Sequence, residues 1–338
     1  MGERETVSLC KAYEDLFLIG AAVNRYTLHS EKQLIQKHFN SLTAENEMKF
    51  EQIQPREGQF NFDYADELIH VSEQFGHKLR GHTLVWHNQT SDWVFEAPDG
   101  KELNRELLLE RMRRHISTLL TRYQGKFFSW DVVNEAISDQ KGEFLRPSPW
   151  LEVIGEDFID HAFHYAHEAD PDALLFYNDY NESDPEKRDK IYQLVQSMLK
   201  RDVPIHGVGL QAHWNLYEPS LDHIKQAIEK YASLDLQLQI TEMDVSMFRF
   251  DDHRTDLLKP TEEMLEKQAE RYEQMFKLFV EYKQHISSVT FWGVSDAYTW
   301  LSDFPVRGRK NWPLLFDTNH QVKPAYWRVL DQISSVKG

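Results

Sequence analysis

Hydrophobic and polar positions along the chain form two kinds of segment. Short apolar runs with the length of buried strands recur, and the stretches between them have the three- and four-residue spacing of amphipathic helices. One such stretch puts Leu108, Met112, His115 and Leu119 on one face. The strand candidates are residues 19–24, 39–46, 78–87, 128–136, 173–181, 207–214, 237–245 and 288–296. Strand and helix therefore alternate eight times.

Helix boundary signals support this interpretation. Asp184 precedes Pro185 in the segment SDPEK, which predicts an N-cap followed by proline at the first helical position. No proline-, glycine- or serine-rich linker divides the 338 residues. Because an open doubly wound sheet usually has five or six strands, we predict an α/β fold of a single (β/α)8 TIM barrel, as one domain over residues 1–338.

Composition narrows the class of partner. The chain has 38 Lys and Arg against 55 Asp and Glu, a net charge of -17, so we expect no nucleic acid as partner. We also expect no membrane partner, because no apolar run has the length of a membrane span. Charged residues interrupt the first 20 positions, which argues against a secretory signal and favours a cytoplasmic location. The oligomeric state stays open.

Metal and cofactor chemistry have little support in the sequence. Cys10 is the single cysteine, which excludes an intramolecular disulfide and a thiolate-rich metal site. His82 and His87 resemble a pair of metal ligands, but five residues apart on one straight strand they face opposite sides. We therefore expect no metal and no cofactor.

Two of the apolar strands finish on polar residues. The run WDVVNEAI carries Asn134 and Glu135, and the run LQITEMDV carries Glu242 and Asp244. Such groups are costly to bury without partners. The active site of a (β/α)8 barrel lies at the carboxyl ends of its strands. We therefore interpret these four side chains as parts of a site at the barrel mouth.

Side-chain alternation along the strands extends this site. It predicts that Leu238 and Ile240 fill the barrel, while the two acids that follow them emerge at its mouth. The same alternation gives a shared face to two further pairs, His82 with Trp86 and Gln211 with His213.

A pair of carboxylates beside aromatic and amide groups favours glycoside hydrolysis. One carboxyl protonates the leaving oxygen, and the other attacks the sugar or activates water. Indole rings pack on the C–H faces of sugars, which suits Trp86, Trp292 and Trp300. A lone strand-end glutamate more often pairs with a cation, and tryptophans often only fill space between barrel and helices. The combination at the strand ends is harder to explain in that way.

From about residue 16 to about residue 330 the chain resembles glycoside hydrolase family 10, the endo-1,4-β-xylanases. The segments that carry the resemblance are TAENEMKF, RGHTLVWH, WDVVNEAI, FYNDYN, GLQAHW, ITEMDV and FWGVSD, in that order. The resemblance implies endo-acting hydrolysis of β-1,4-xylosidic bonds in xylan and xylo-oligosaccharides. It also implies a retaining double displacement through a covalent glycosyl-enzyme.

The resemblance implies a role for each matching residue. Glu135 matches the acid/base, Glu242 the nucleophile, and Asn134 a hydrogen-bond partner of the 2-hydroxyl in subsite −1. His213, held by Asp244, matches the partner of the nucleophile. The remaining matches are Glu45, Asn46 and Lys49 at subsite −2, His82, Trp86, Gln211, Trp292 and Trp300 at subsite −1, and Tyr180 near subsite +1.

Three questions stay open at the level of sequence. Phe50 stands where the family usually has tryptophan, which predicts looser packing behind subsite −2. A related barrel glycosidase acting on β-1,4-glucan and a non-catalytic sugar-binding barrel are the alternatives to a xylanase. The expected cytoplasmic location favours short xylo-oligosaccharides over the polymer.

Overall fold

A closed barrel of parallel strands forms the centre of the molecule. The computed structural model describes residues 6–98 and 102–333. The strands are β1 (Leu18–Val23), β2 (Ser41–Ala44), β3 (Lys78–Val85), β4 (Ser129–Asn134), β5 (Leu174–Asp179), β6 (Gly207–Leu210), β7 (His213–Asn215), β8 (Gln237–Ser246) and β9 (Ile286–Phe291). They pair in parallel in the order β6-β5-β4-β3-β2-β1-β9-β8-β7, and β6 also pairs with β8, which closes the barrel.

Helices surround the barrel and connect successive strands. They are α1 (Leu9–Ala12), α2 (Thr27–Ser30), α3 (Lys32–His38), α4 (Phe50–Ile53), α5 (Asp63–Phe75), α6 (Arg105–Arg122), α7 (Pro149–Ile154), α8 (Phe158–Ala169), α9 (Pro185–Lys200), α10 (Leu221–Ala232), α11 (Glu262–Glu281) and α12 (Pro324–Asp331). The periodic residues of α6, Leu108, Met112, His115 and Leu119, are all buried. In the described part of the chain, no helix has both the length and the apolar composition that a membrane span needs.

The predicted (β/α)8 barrel is confirmed, with one local difference. Each strand candidate overlaps one barrel strand, except that residues 207–214 overlap two. The strand is interrupted at Gln211 and Ala212, between β6 and β7, and Ala212 has a φ of +59°. Strand β7 pairs with β8 and continues the line of β6 toward the mouth.

Polar side chains occupy the barrel interior. Gln239 Oε1 accepts a 2.6 Å hydrogen bond from Arg80 Nε, and β8 and β3 are not neighbours, so the two side chains meet inside the barrel. The prediction that Leu238 and Ile240 fill the barrel is therefore wrong. Alternation places these two side chains on the outer face of β8, toward the helices.

A bulge explains how Glu242 nevertheless reaches the site. Thr241 Oγ1 donates to Asn178 Oδ1 at 2.6 Å, and the next residue, Glu242, accepts from Asn178 Nδ2 at 2.9 Å. Two consecutive residues thus contact one inward-facing side chain. The register between β8 and β9 shifts between Ile240 and Met243, as a bulge requires.

The N-cap of α9 gives a test of the local sequence signals. Asp184 Oδ1 accepts from the backbone N–H groups of Glu186 and Lys187 at 3.1 Å each, and Pro185 is the first helical residue. We expect Asp184→Ala to lower the free energy of unfolding by about 1 kcal/mol, measured by guanidinium unfolding. Asp184→Asn keeps an acceptor oxygen and is the matched control. Equal losses in the two variants would contradict the capping role.

Candidate active site

Glu135 lies directly after β4, where the backbone turns. Its φ of +58° is in the left-handed region, which is costly for a residue with a side chain and is tolerated mainly at functional positions. This turn ends the alternation of β4, so that both Asn134 and Glu135 reach the mouth. Trp86 Nε1 donates to Glu135 Oε2 at 2.8 Å, and Gln211 Nε2 donates to Glu135 Oε1 at 3.0 Å.

Glu242 is held by a different set of partners. Its Oε2 lies 3.0 Å from His213 Nε2, and its Oε1 accepts from Asn178 Nδ2 at 2.9 Å. His82 Nδ1 lies 3.8 Å from the same Oε1. Two imidazoles therefore flank this carboxylate, whereas the donors that bind the side-chain carboxyl of Glu135 among the described residues are the neutral groups of Trp86 and Gln211.

His213 is fixed between two acids. Its second nitrogen, Nδ1, lies 3.0 Å from Asp244 Oδ2, and that oxygen also accepts from Trp300 Nε1 at 2.8 Å. The ring of Trp300 packs on His213 with 4.9 Å between centroids. The predicted association of His213, Asp244 and Glu242 is confirmed as a spatial arrangement.

A chain of amides links the two glutamates. Asn134 Oδ1 accepts from Gln211 Nε2 at 3.1 Å and from Asn178 Nδ2 at 2.9 Å. Gln211 also binds Glu135, and Asn178 also binds Glu242. Both of these side-chain bonds use the oxygen of Asn134. Among the described residues its Nδ2 group has no hydrogen-bond acceptor, so this group is the donor available to a ligand.

Asn178 is a site residue that the sequence analysis missed. It is fully buried in β5, inside the segment FYNDYN that carried part of the resemblance. A buried asparagine in an apolar strand was the available signal. Nothing in the sequence indicated that it bridges Asn134 and Glu242.

The surroundings push the pKa values of the two glutamates apart. Burial, followed by the negative charges of Asp179 and Glu242, raises the pKa of Glu135 above its usual value, against the hydrogen bonds from Gln211 and Trp86. Burial also acts to raise the pKa of Glu242, but His82, His213 and Lys49 outweigh it and lower that pKa to about 2. At neutral pH Glu242 is an anion, and Glu135 is the group that more readily holds a proton.

The charge on His213 completes this asymmetry. Burial acts to lower its pKa, but Asp244 and Glu242 outweigh burial and raise the pKa to about 10. His213 is therefore an imidazolium at neutral pH. Its positive charge lies against Glu242 and stabilises the ionised form of that side chain.

The residues expected at subsite −2 form one cluster beyond the end of β2. Lys49 Nζ donates to Asn46 Oδ1 at 2.9 Å and to Gln89 Oε1 at 2.8 Å. Asn24 Nδ2 donates to Glu45 Oε2 at 2.8 Å. The structure thus brings Glu45, Asn46 and Lys49 together as predicted. It adds Asn24 and Gln89, which lie on other loops. Asn24 is the polar last residue of the strand candidate 19–24, a signal that could have found it, whereas Gln89 had no such signal.

Aromatic rings line the region between this cluster and Glu242. The Lys49 ammonium lies 4.8 Å from the ring centroid of Trp86. Trp292 is buried and packs edge-on against His82, with 5.3 Å between centroids. Trp86, Trp292 and Trp300 are therefore all placed around the two glutamates, and the alternative that they only fill space behind the barrel is wrong for these three residues.

Tyr180 belongs to a charged network next to the backbone of Glu135. Arg146 Nη2 donates to Tyr180 Oη at 2.7 Å, and the Lys187 ammonium lies 3.6 Å from the tyrosine ring centroid. The Asp139 carboxylate bridges the two cations, with Oδ2 at 3.0 Å from Arg146 Nη2 and Oδ1 at 2.8 Å from Lys187 Nζ. Arg146 Nε also donates to the backbone oxygen of Glu135 at 3.0 Å. This network fixes the turn that carries Glu135.

The prediction of loose packing at Phe50 is wrong. Phe50 is buried, and its ring stacks on His115 with 3.5 Å between centroids and 9° between planes. Its ring also packs against Trp93 and Trp150, with 6.1 Å and 6.4 Å between ring centroids. The imidazole and the neighbouring indoles fill the space behind Lys49.

One group of potential metal ligands lies beneath the site. Ligand atoms of His82, Asp131 and Glu242 fall within 4.8 Å of one another. However, the Arg80 guanidinium already binds Asp131 at 2.6 Å, and His82 Nδ1 lies 2.9 Å from the other oxygen of Asp131. These contacts satisfy Asp131 without a metal ion, and we interpret the group as a support for His82. That the reaction needs no metal stays a prediction.

Comparisons of sequence agree on one family. The model of glycosyl hydrolase family 10 matches residues 8–332. An endo-1,4-β-xylanase of Geobacillus stearothermophilus is 59% identical over 324 residues, which cover 96% of this chain and 98% of that protein. Endo-1,4-β-xylanase B of Paenibacillus barcinonensis is 55% identical over 328 residues, which cover 97% and 99%.

Comparisons of structure give the same result. Crystalline xylanase XynB from Paenibacillus barcinonensis, complexed with a conduramine derivative, has a TM-score of 0.95 at 55% identity and covers 98% of this chain and 100% of its own. A mutant enzyme in complex with xylotriose has a TM-score of 0.94 at 51% identity, with coverage of 96% and 100%. The chain belongs to glycosyl hydrolase family 10.

Proposed function

We propose that this protein is an endo-1,4-β-xylanase that cleaves internal bonds of xylan and xylo-oligosaccharides with retention of configuration. The observation that carries the proposal is a pair of glutamates, connected by hydrogen bonds through amide side chains, whose pKa values are shifted in opposite directions. A retaining glycosidase needs this division, because one carboxyl must be protonated while the other is ionised. The relatives named endo-1,4-β-xylanase support the choice of substrate.

In the first step, Glu242 attacks the anomeric carbon of the −1 sugar and Glu135 donates its proton to the glycosidic oxygen. The aglycone leaves as an alcohol, and Glu242 becomes an ester. Asn134 Nδ2 is the available donor for the 2-hydroxyl, in a bond expected to strengthen as positive charge develops at the anomeric carbon. The imidazolium of His213 keeps the attacking carboxylate ionised until the bond forms.

In the second step, Glu135 acts as a base. Esterification removes the negative charge of Glu242, which was one cause of the raised pKa of Glu135. Glu135 then stays ionised more readily and takes a proton from an attacking water. Glu242 leaves as a carboxylate, stabilised again by His213 and Asn178.

The proposal includes a cytoplasmic location and a preference for short xylo-oligosaccharides. Cell fractionation and the relative rates on xylotetraose and polymeric xylan test them. Comparable rates on both substrates, together with recovery of the protein outside the cell, would contradict both.

The acid/base role of Glu135 predicts a loss that depends on the leaving group. We expect Glu135→Ala to lower kcat/KM on xylan roughly 100- to 10,000-fold. The loss of kcat/KM, which reports the steps up to formation of the glycosyl-enzyme, should be much smaller on a dinitrophenyl β-xylobioside, whose leaving group needs no proton. Glu152→Ala, at an exposed glutamate of α7, is the control and should retain full rates. Equal losses on both substrates would rule out this role for Glu135.

The nucleophile role of Glu242 predicts chemical rescue. Glu242→Ala should be folded and almost inactive, and azide added to a reaction with an activated xyloside should attack from the vacated side. The expected product is the α-xylosyl azide, identified by its anomeric proton coupling in NMR. Azide added to Glu135→Ala should instead give the β-azide. A β-azide from Glu242→Ala, or no rescue, would contradict the assignment.

Asp179 predicts a shift in the pH dependence of activity. Its negative charge disfavours ionisation of Glu135 and so raises the pKa of that acid. In Asp179→Asn this effect is lost, the pKa of Glu135 falls, and its protonated form disappears at a lower pH. The alkaline limb of the kcat/KM profile should therefore move to lower pH. The control is Asp172→Asn, an exposed position before β5; an unmoved or raised limb in Asp179→Asn would contradict the argument.

A further inference from the structure

Glu182 is a buried acid near the mouth of the barrel that the reaction steps do not use. It lies in the loop after β5 and is 1% exposed. Its Oε1 accepts a hydrogen bond from Trp214 Nε1 at 3.0 Å. Its Oε2 is buried without a hydrogen-bond partner among the described residues. Enclosing a carboxyl group in this way is costly, and natural proteins accept such costs mainly at functional positions.

Trp214 belongs to β7, the short strand that also carries His213. This strand spans three residues and begins directly after Ala212, whose φ is +59°. Among the described strands β8 is its only partner, with His213 opposite Asp244. The hydrogen bond from Trp214 to Glu182 adds a second attachment, to the loop after β5. Because adjacent residues of a strand point to opposite sides, a contact that fixes Trp214 also fixes the direction of His213.

The loop that carries Glu182 is itself attached to two helices. Tyr231 Oη, on α10, donates to the backbone oxygen of Glu182 at 2.7 Å. The backbone N–H of Asp184 donates to Asn181 O at 3.0 Å, and Asp184 caps the start of α9. Glu182 therefore has a fixed position from which it can hold the side chain of Trp214.

The charge of Glu182 suits a supporting role. Burial raises its pKa to about 7, against the hydrogen bond from Trp214 and the positive charges of His213 and Lys187. The phenol of Tyr231 is the other titratable group that faces it. A large share of Glu182 is thus protonated at neutral pH. The neutral acid still accepts from the indole, and glutamine offers the same acceptor without a charge.

We propose that Glu182 is a positioning residue that, through its hydrogen bond to Trp214, holds His213 between Glu242 and Asp244. This inference rests on the proposed function, and Glu182 acts through His213 rather than on the substrate. His213 lies 3.0 Å from each of the two carboxylates. Attraction between charges weakens with distance, so a loosened β7 would lower the pKa of His213, which these carboxylates raise to about 10.

The test measures the pH at which His213 loses its proton. Protein with nitrogen-15 in its histidine rings is titrated from neutral to alkaline pH by NMR, and the His213 signal is the one missing from His213→Gln. Glu182→Leu removes the acceptor, and Trp214→Phe removes the donor of the same bond. We expect each variant to lower the titration pH of His213 by roughly one pH unit, part of the effect of a contacting opposite charge.

Two further variants control this titration. Glu182→Gln keeps the acceptor oxygen and should titrate close to the wild-type protein. Glu186→Leu replaces an exposed acid at the start of α9 and should leave the titration unchanged. Trp214→Phe carries the same prediction should Glu182→Leu fail to fold.

The pH dependence of activity gives a second readout. A loosened His213 stabilises the Glu242 anion less, so the pKa of Glu242 rises. Because Glu242 must be ionised to attack the sugar, the acidic limb of the kcat/KM profile on a nitrophenyl β-xylobioside should move to higher pH. We expect this shift in Glu182→Leu and Trp214→Phe, with recovery in Glu182→Gln.

The outcomes separate this inference from the proposed function. An unchanged titration of His213 in both Glu182→Leu and Trp214→Phe, or an equal fall in Glu182→Gln, would overturn the positioning role. The titration needs no substrate, so failure of the wild-type protein to hydrolyse xylan would overturn the proposed function alone. A fall in the first two variants with recovery in Glu182→Gln establishes the role of Glu182.

Discussion

Two carboxyl groups that share one buried cleft cannot both ionise cheaply, and the rest of the site follows from how the protein resolves this conflict. Glu242 receives two imidazoles and an amide donor, so it carries the charge. The carboxyl of Glu135 accepts from the neutral side chains of Trp86 and Gln211 and lies near Asp179, so it is the group that more readily keeps a proton. Two glutamates thereby supply the protonated carboxyl and the ionised carboxylate that the proposed reaction needs.

Holding this arrangement requires a polar barrel interior, which carries a cost. Many (β/α)8 barrels fill their interior with branched apolar side chains. Here Arg80 binds both Gln239 and Asp131 inside the barrel instead, and Asp131 in turn positions His82. Burying these groups is tolerable because their contacts replace hydration. The hydrogen-bonded groups in the interior thus hold residues at the mouth, such as His82, in place.

Local irregularities of the backbone place Glu135, Glu242 and their partners at the mouth of the barrel. The bulge in β8 turns Glu242 inward, the left-handed residue after β4 turns Glu135, and the break at Ala212 separates Gln211 from His213. In each case a regular strand would present its side chains differently. The hydrogen bond from Arg146 to the backbone oxygen of Glu135 compensates the strain of the turn at Glu135.

The sequence by itself determined the barrel, both glutamates and the grouping of residues expected to bind substrate. Apolar periodicity specifies strands and helices, and polar residues at strand ends stand out because burial penalises them. Only the tertiary structure decided how each residue acts. Side-chain alternation counted back from Glu242 predicted the wrong interior residues of β8, because a bulge interrupts the alternation before Glu242. Such a bulge is set by cross-strand packing, which no local pattern shows. The roles of Asn178, Asp179 and Asn24 depend on partners far away in the chain, and a pKa depends on distances that no local pattern encodes.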